Sequence, residues 1–265
     1  MKFTDQLNRT LVFSKSPTRI VSLVPSLTEL ICDLGLESFL VGVTKFCVHP
    51  KNIRDKATIV GGTKHVHCNK IRALDPDIIL CNKEENTQEM IQDLEKLAAV
   101  HISDINTIGG CLEIIEMYGE LFGVEKNAKS IVLKIIDEQS KFESFIKTKS
   151  TSSVAYFIWK DPWMAVGKGT FINYMLNLNG FKNFFGNQSR YPEVSLEISY
   201  PEVDMVLLST EPFPFNEDHS KFIKPKFPNA KILLVDGEMF SWYGSRLIKA
   251  FEYFKKLHDY YSIQK

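Results

Sequence analysis

Two groups of side chains in this 265-residue sequence have the types and spacing for chemistry. The first holds imidazoles and thiols: His65, His67 and Cys68, with Cys47 and His49 upstream. Imidazole nitrogen and thiolate sulfur both suit zinc or iron. The second half adds only His219 and His258, neither in a strong candidate loop, so solvated histidines and inert thiols are expected and no metal site is assigned. The second group is aromatic. All three tryptophans fall in the segments Trp159–Trp163 and Asp236–Arg246, and more phenylalanines follow in Ser209–Phe215. Aromatic surface is costly to leave in water, so rings gathered in loops face a ligand or fold back on one another. Covalent chemistry has little support. There is no G-x-x-x-x-G-K-[ST] loop, no G-x-G-x-x-G after the first strand and no G-x-S-x-G elbow. Asp161 and Glu197 could serve as an acid–base pair, but nothing in the sequence sets their separation.

Composition narrows the classes further. Lys plus Arg and Asp plus Glu both number 32, for a formal net charge of zero. A nucleic-acid binder that neutralises phosphates would carry a basic excess, so nucleic acid is not an expected partner. The 44% apolar and 24% charged content is that of a chain able to bury a core. Five cysteines without a C-x-x-C pair point to free thiols rather than a disulfide framework. The first residues lack the apolar core of a secretory signal, and no run approaches the roughly 20 apolar residues of a membrane span. As written, the sequence reads as cytoplasmic.

The elements that must position these residues alternate. Strands are expected at 19–24, 40–43, 58–60, 77–80 and 100–102, with helices between them. Ser26 with Glu29 and Asn86 with Glu89 have the spacing of capping boxes. Alternating strands and helices imply parallel pairing with crossovers, hence an α/β layer. Over 125–149, Ile131, Val132, Ile135, Ile136, Phe142, Phe145 and Ile146 recur at helical spacing. Such a helix, roughly 37 Å long, reads as a strut between two lobes. The alternation then restarts with strands at 154–159, 205–208 and 232–235 and helices at 170–178 and 244–257. The expected division is an N-terminal lobe over 1–123, a connecting helix over 124–150 and a C-terminal lobe over 151–265. LDPDIIL (74–80) is echoed 127 positions later by the stretch ending VDMVLL (203–208), and in each an acid follows the aspartate by seven, Glu84 and Glu211.

RIVSLVPSLTELICDLGL, VGGTK, KIRALDPDIILCNKEEN, IWKDPWMAVGKGTFINYMLNLNG, VDMVLLSTEPFPF and DGEMFSWYGSRL, in that order, span 19–247. Together they resemble the helical-backbone substrate-binding proteins of ABC importers, the cobalamin, haem and ferric-siderophore receptors. The resemblance implies an α/β fold of two Rossmann-like lobes with parallel sheets, joined by one long helix, with a ligand in the cleft. It places Pro25 and Ser26 on the cleft floor and Phe46 and Asn82 among first-lobe contacts. Trp159, Trp163, Phe240 and Trp242 form a second-lobe aromatic wall. Arg246 matches a basic position near the cleft; a salt bridge to Asp236 is the equal alternative. Glu84, Glu85 or Glu89 in one lobe and Glu211 in the other match acids that dock on a permease. No covalent cofactor is implied. The ligand would be a corrinoid, haem or ferric siderophore, the partner an ABC permease, the state monomeric, and the location periplasmic if a signal had been removed. The alternatives are a cytosolic corrinoid or haem carrier or sensor, and an α/β enzyme acting on a small substrate.

Overall fold

The computed structural model describes residues 1–263, so the last two positions of the expected second lobe lie outside it. The chain divides into two units, one of residues 1–136 with Tyr243–Leu247 and the other of Asp137–Trp242 with the remaining C-terminal residues.

The first unit opens with a hairpin that the sequence patterning did not suggest, β1 (Lys2–Thr4) against β2 (Thr10–Val12). Three-residue strands carry too little alternation to be read locally. A buried carboxylate holds this hairpin: Asp5 Oδ1 accepts from the backbone of Leu7 and Arg9, and Oδ2 from Arg9 Nε at 2.8 Å. The alternation then follows as expected. β3 (Ile20–Ser22), α1 (Pro25–Asp33), β4 (Leu40–Val43), α2 (Ile53–Lys56), β5 (Thr58–Ile59) and α3 (Cys68–Ala73) precede β6 (Ile78–Asn82), α4 (Gln88–Leu94), β7 (Ala99–Ser103) and α5 (Ile108–Phe122). The five strands pair in the order β5-β4-β3-β6-β7, every pair parallel. β3 and β6 are buried along their whole length, as a sheet covered on both faces requires.

Neither expected capping box forms. Val24 is the N-cap of α1, Pro25 takes the first helical position, and no side chain caps the turn. Proline suits that site because its ring presets φ and the N–H it lacks would have had no helical partner. Ser26 is therefore inside the helix, and the Glu29 carboxylate accepts from Arg246 instead. In α4 the cap is Thr87, whose hydroxyl accepts from Met90 N at 3.3 Å. Asn86 instead ties two loops together, accepting from Asn82 N and donating to Thr63 O, both at 2.8 Å.

α6 runs unbroken over Glu125–Ile146, slightly shorter than its apolar spacing suggests. Gly119 of α5 lets α6 approach closely: a Cβ there would lie 2.6 Å from that of Ala128. Ile131, Val132 and Ile135 are buried, but Ile136 and Leu133 are exposed. Past Asp137 the helix serves the second unit, where Phe142 packs against Phe251 and Phe254.

The second unit repeats the design with β8 (Ser153–Trp159), β9 (Met164–Ala165), α7 (Phe171–Leu178), β10 (Lys182–Asn183), β11 (Met205–Ser209), α8 (Glu217–Ile223), β12 (Lys231–Val235), α9 (Gly237–Ser241) and α10 (Leu247–Ile263). Strand order is β10-β8-β11-β12, all parallel, with β9 antiparallel on β8. The sequence echo is structural. Asp77 Oδ2 accepts from Thr18 and Arg19 N at 2.8 and 2.9 Å, ahead of β3, while Asp204 Oδ2 accepts from Ser153 N at 2.7 Å at the start of β8. At the carboxyl ends of β6 and β11, the strands that follow these aspartates, Asn82 and Ser209, again 127 apart, each accept from the backbone N–H two residues on.

One buried group makes stability depend on pH. His101 is fully buried with Nδ1 3.1 Å from the Tyr118 hydroxyl. Burial pushes its imidazole down to about 4; Asp5 opposes that shift and Arg9 adds to it. The folded state then refuses a proton that the unfolded chain takes up near pH 6.5. The stabilisation from neutral His101 is complete above pH 6.5 and lost as pH falls towards 4, about 2 kcal/mol by pH 5. Urea midpoints at pH 7.5 and 5.0 should show this loss in the wild type and a smaller one in His101→Asn. Equal losses in the two would assign the acid sensitivity to other groups.

Candidate functional site

In open α/β sheets, ligands are met by the loops beyond the carboxyl ends of the strands. In the first unit, the loop after β4 is built to turn one ring outward. Thr44 is buried, its hydroxyl accepts from Phe46 N at 3.2 Å, and it lies 3.3 Å from the buried Cys47 sulfur, which Thr28 Oγ1 also approaches at 3.1 Å. Burial pushes the Cys47 thiol up, so it is a packing group. With residues 44 and 47 anchored, Phe46 projects and is 49% exposed. A cavity of about 330 Å³ adjoins it, lined by Lys45, Lys70, His65 and His67 above the backbone of Gly61 and Gly62.

The other first-unit candidates are structural. Pro25 and Ser26 are buried in the first turn of α1 and offer no surface. Asn82 is buried as well, with Nδ2 donating to Ser103 Oγ at 3.0 Å and Oδ1 accepting from Glu84 N at 2.8 Å and Glu85 N at 3.3 Å. It shapes the turn after β6 rather than facing a ligand. Glu84 and Glu85 are half-buried on that turn, and Glu89 is exposed in the first turn of α4, where an acid suits the helix dipole. Arg246 finds its carboxylate in Glu29 of α1, where the sequence offers Asp236 or a cleft. Its Nε and Nη2 donate to the two carboxylate oxygens of Glu29 at 2.7 and 3.0 Å, and both side chains are about 5% exposed or less. Tyr243–Leu247, which carries Arg246, packs within the first unit with Glu29, and Asp236 caps α9 by accepting from Glu238 N.

A larger cavity, about 540 Å³, lies between the N-terminal hairpin turn and the start of α5. Its polar groups are largely engaged with one another. Gln6 donates to Gly110 O and accepts from Asp104 N, and Asp104 pairs with Lys83 at 2.6 Å.

In the second unit the aromatic wall separates into rings that are used up and rings that are offered. Phe240 is completely buried against Tyr156 and Phe254, at centroid distances of 5.1 and 4.8 Å. Trp163 is 8% exposed, stacked between Phe215 and Phe222 and edge-on to Phe157. Both are core residues because other rings occupy their faces. Trp242 is also buried, and its indole N–H points at Glu211 Oε2, 3.4 Å away. The Glu211 carboxylate accepts from the Ser241 hydroxyl too, and burial raises its pKa. This acid holds α9 in place. Gly237 permits the arrangement, since a Cβ there would fall 2.3 Å from Ser209 Oγ. Trp159, at the carboxyl end of β8, remains 40% exposed, edge-to-face with the half-buried Phe213 at 5.8 Å. Phe213 belongs with the candidates and was missed, although the alternation Pro212-Phe213-Pro214-Phe215 directly after β11 marks it.

Among the described residues no group of three or more His, Cys, Asp or Glu side chains could hold a metal ion, and no helix is long and apolar enough to cross a membrane.

Comparisons with known proteins agree with this architecture. The family model described as "Periplasmic binding protein" matches residues 20–225. An uncharacterized ABC transporter substrate-binding lipoprotein of Bacillus subtilis (strain 168) is 31% identical over 204 residues, covering 73% of this chain and 63% of the relative, less than two thirds of its length. The vitamin B12-binding protein of Photorhabdus laumondii is 26% identical over 245 residues, 89% of this chain and 86% of that one. The periplasmic heme-binding protein RhuT from Roseiflexus sp. RS-1 superposes with a TM-score of 0.79 over 91% of this chain and 98% of its own; at 17% identity it shows the fold alone. Two parallel α/β units, with a family match running from β3 past α8, place the chain in the periplasmic binding protein family, a family of substrate-binding proteins.

Proposed function

We propose that this chain binds a compact, partly apolar ligand of the corrinoid, haem or ferric-siderophore type and presents it to an ABC permease. The observation that carries the reading is Trp159, left 40% exposed at the carboxyl end of β8 and braced by Phe213. Phe46 plays the same part on the first unit. A flat macrocycle or aryl group stacks on such faces without the protein reorganising, because Thr44 and Phe213 already hold the rings in position. Relatives named for vitamin B12 support the ligand class. Binding is the whole of the proposed chemistry, so ligand should be recovered unchanged. Glu89, exposed on α4, with its half-buried neighbours Glu84 and Glu85, is the proposed first-unit contact with the permease.

The test is a fluorescence and thermal-shift titration with cyanocobalamin, cobinamide, haemin and ferric siderophores. Trp159 is the most exposed of the three tryptophans, so a bound ligand should quench it saturably. A ligand at 100 times its Kd should raise stability by about 2.7 kcal/mol. A panel that neither quenches nor raises Tm would remove this ligand class.

A further inference from the structure

The cavity beside Phe46 segregates charge in a chain that has none net. Its lining includes two lysines and two histidines and no aspartate or glutamate. Its floor is bare backbone by necessity. Gly61 has φ +137, and a Cβ there would lie 2.5 Å from His65 O; a Cβ on Gly62 would lie 3.2 Å from Phe46 Cε2 and 3.7 Å from Lys45 Cε. Phe46 and the Lys45 stem thus rest on Gly62, which makes the apolar ring face and the cationic hollow one continuous surface. Lys45 Nζ sits 5.0 Å over the Phe46 ring, and Lys70 Nζ is steadied by Ile59 O at 3.3 Å. The floor itself donates little: Gly62 N is taken by His65 O at 2.7 Å and His67 N by Val60 O at 2.8 Å. Recognition there falls to the side chains, and ammonium and imidazole N–H groups form their strongest hydrogen bonds to oxyanions.

We propose that this cavity is an anion subsite that takes a carboxylate or phosphate arm of the ligand while the apolar body of the ligand lies on Phe46. The inference rests on the ligand reading above and narrows it to acid-bearing ligands.

The test compares the whole wild-type protein with the double variant K45Q/K70Q, using K126Q/K147Q as a control for lost surface charge. Two ligand pairs contrast the acidic arm: haemin against its dimethyl ester, which differ only there, and cyanocobalamin, with its phosphodiester, against cobinamide, which lacks the whole nucleotide. K45Q/K70Q should weaken the acid-bearing member of the bound pair about tenfold and the neutral member less than twofold. Separately, inorganic phosphate titrated alone should move the His65 and His67 ring resonances saturably in the wild type and in the control, but not in K45Q/K70Q. Equal losses for both members of a pair, or no loss for either, would overturn the subsite while leaving the ligand reading in place. Phosphate binding without discrimination between pair members would also overturn it, making the cavity a site for a free anion. If no panel compound binds, the ligand reading fails by itself and the phosphate titration decides whether the cavity takes anions; absent shifts reject it.

Discussion

Glu29→Ala should lower the stability of the first unit by about 3–5 kcal/mol in urea denaturation, out of proportion to the loss of one side chain. The substitution takes the bidentate carboxylate away from the Arg246 guanidinium in a site where both side chains are almost fully buried. An unpaired buried charge keeps its desolvation cost without the Coulombic and hydrogen-bond return. Arg246→Met should be similarly harmful, because it takes the bidentate guanidinium away from a buried carboxylate. The double variant Glu29→Leu with Arg246→Met should recover most of the loss, since an apolar pair of similar volume carries no desolvation penalty. Single variants costing no more than about 1 kcal/mol, the range of exposed pairs, would show that water reaches the site.

Trp159→Ala and Phe240→Ala should have opposite signatures. Phe240 is fully enclosed by aromatic neighbours, so its truncation leaves a cavity and costs about 3–5 kcal/mol of stability. Ligand affinity at a temperature where the variant remains folded should be nearly unchanged. Trp159 is half-exposed and touches mainly Phe213, so its loss should change stability by less than about 1 kcal/mol. Ligand affinity should fall by roughly 10- to 100-fold, as for a buried aromatic anchor at an interface. Trp159→Ala with undiminished binding would remove the stacking surface proposed for the second unit. Phe240→Ala with wild-type stability and lost binding would return that ring to the ligand wall.

The contrast between these two rings shows where sequence reasoning reaches and where it stops. Both stand in aromatic-rich loops after strands, and composition treats them alike. One is covered by Tyr156 of β8 and Phe254 of α10 and the other is not, which depends on elements far apart in sequence packing together. Caps show the same limit at shorter range. Ser26 and Glu29 have capping-box spacing, but Pro25 starts the helix two positions early and Arg246, 217 residues away, takes the glutamate.

The strand–helix alternation, the parallel α/β class, the long α6 and the duplicated aspartate signature were set by the sequence alone. Each is a matter of local period or of a short repeated stretch, and hydrophobic spacing along a chain does not depend on what packs against it. The identity of the exposed rings, the partner of Arg246, the hydrogen bonds of Glu211 to Ser241 and Trp242 and the gathering of Lys45, His65, His67 and Lys70 around two glycines were decided by tertiary structure. Burial, ion pairing and cavity lining are properties of groups brought together from distant positions, and their energies depend on a dielectric and a packing that exist only once the chain is folded.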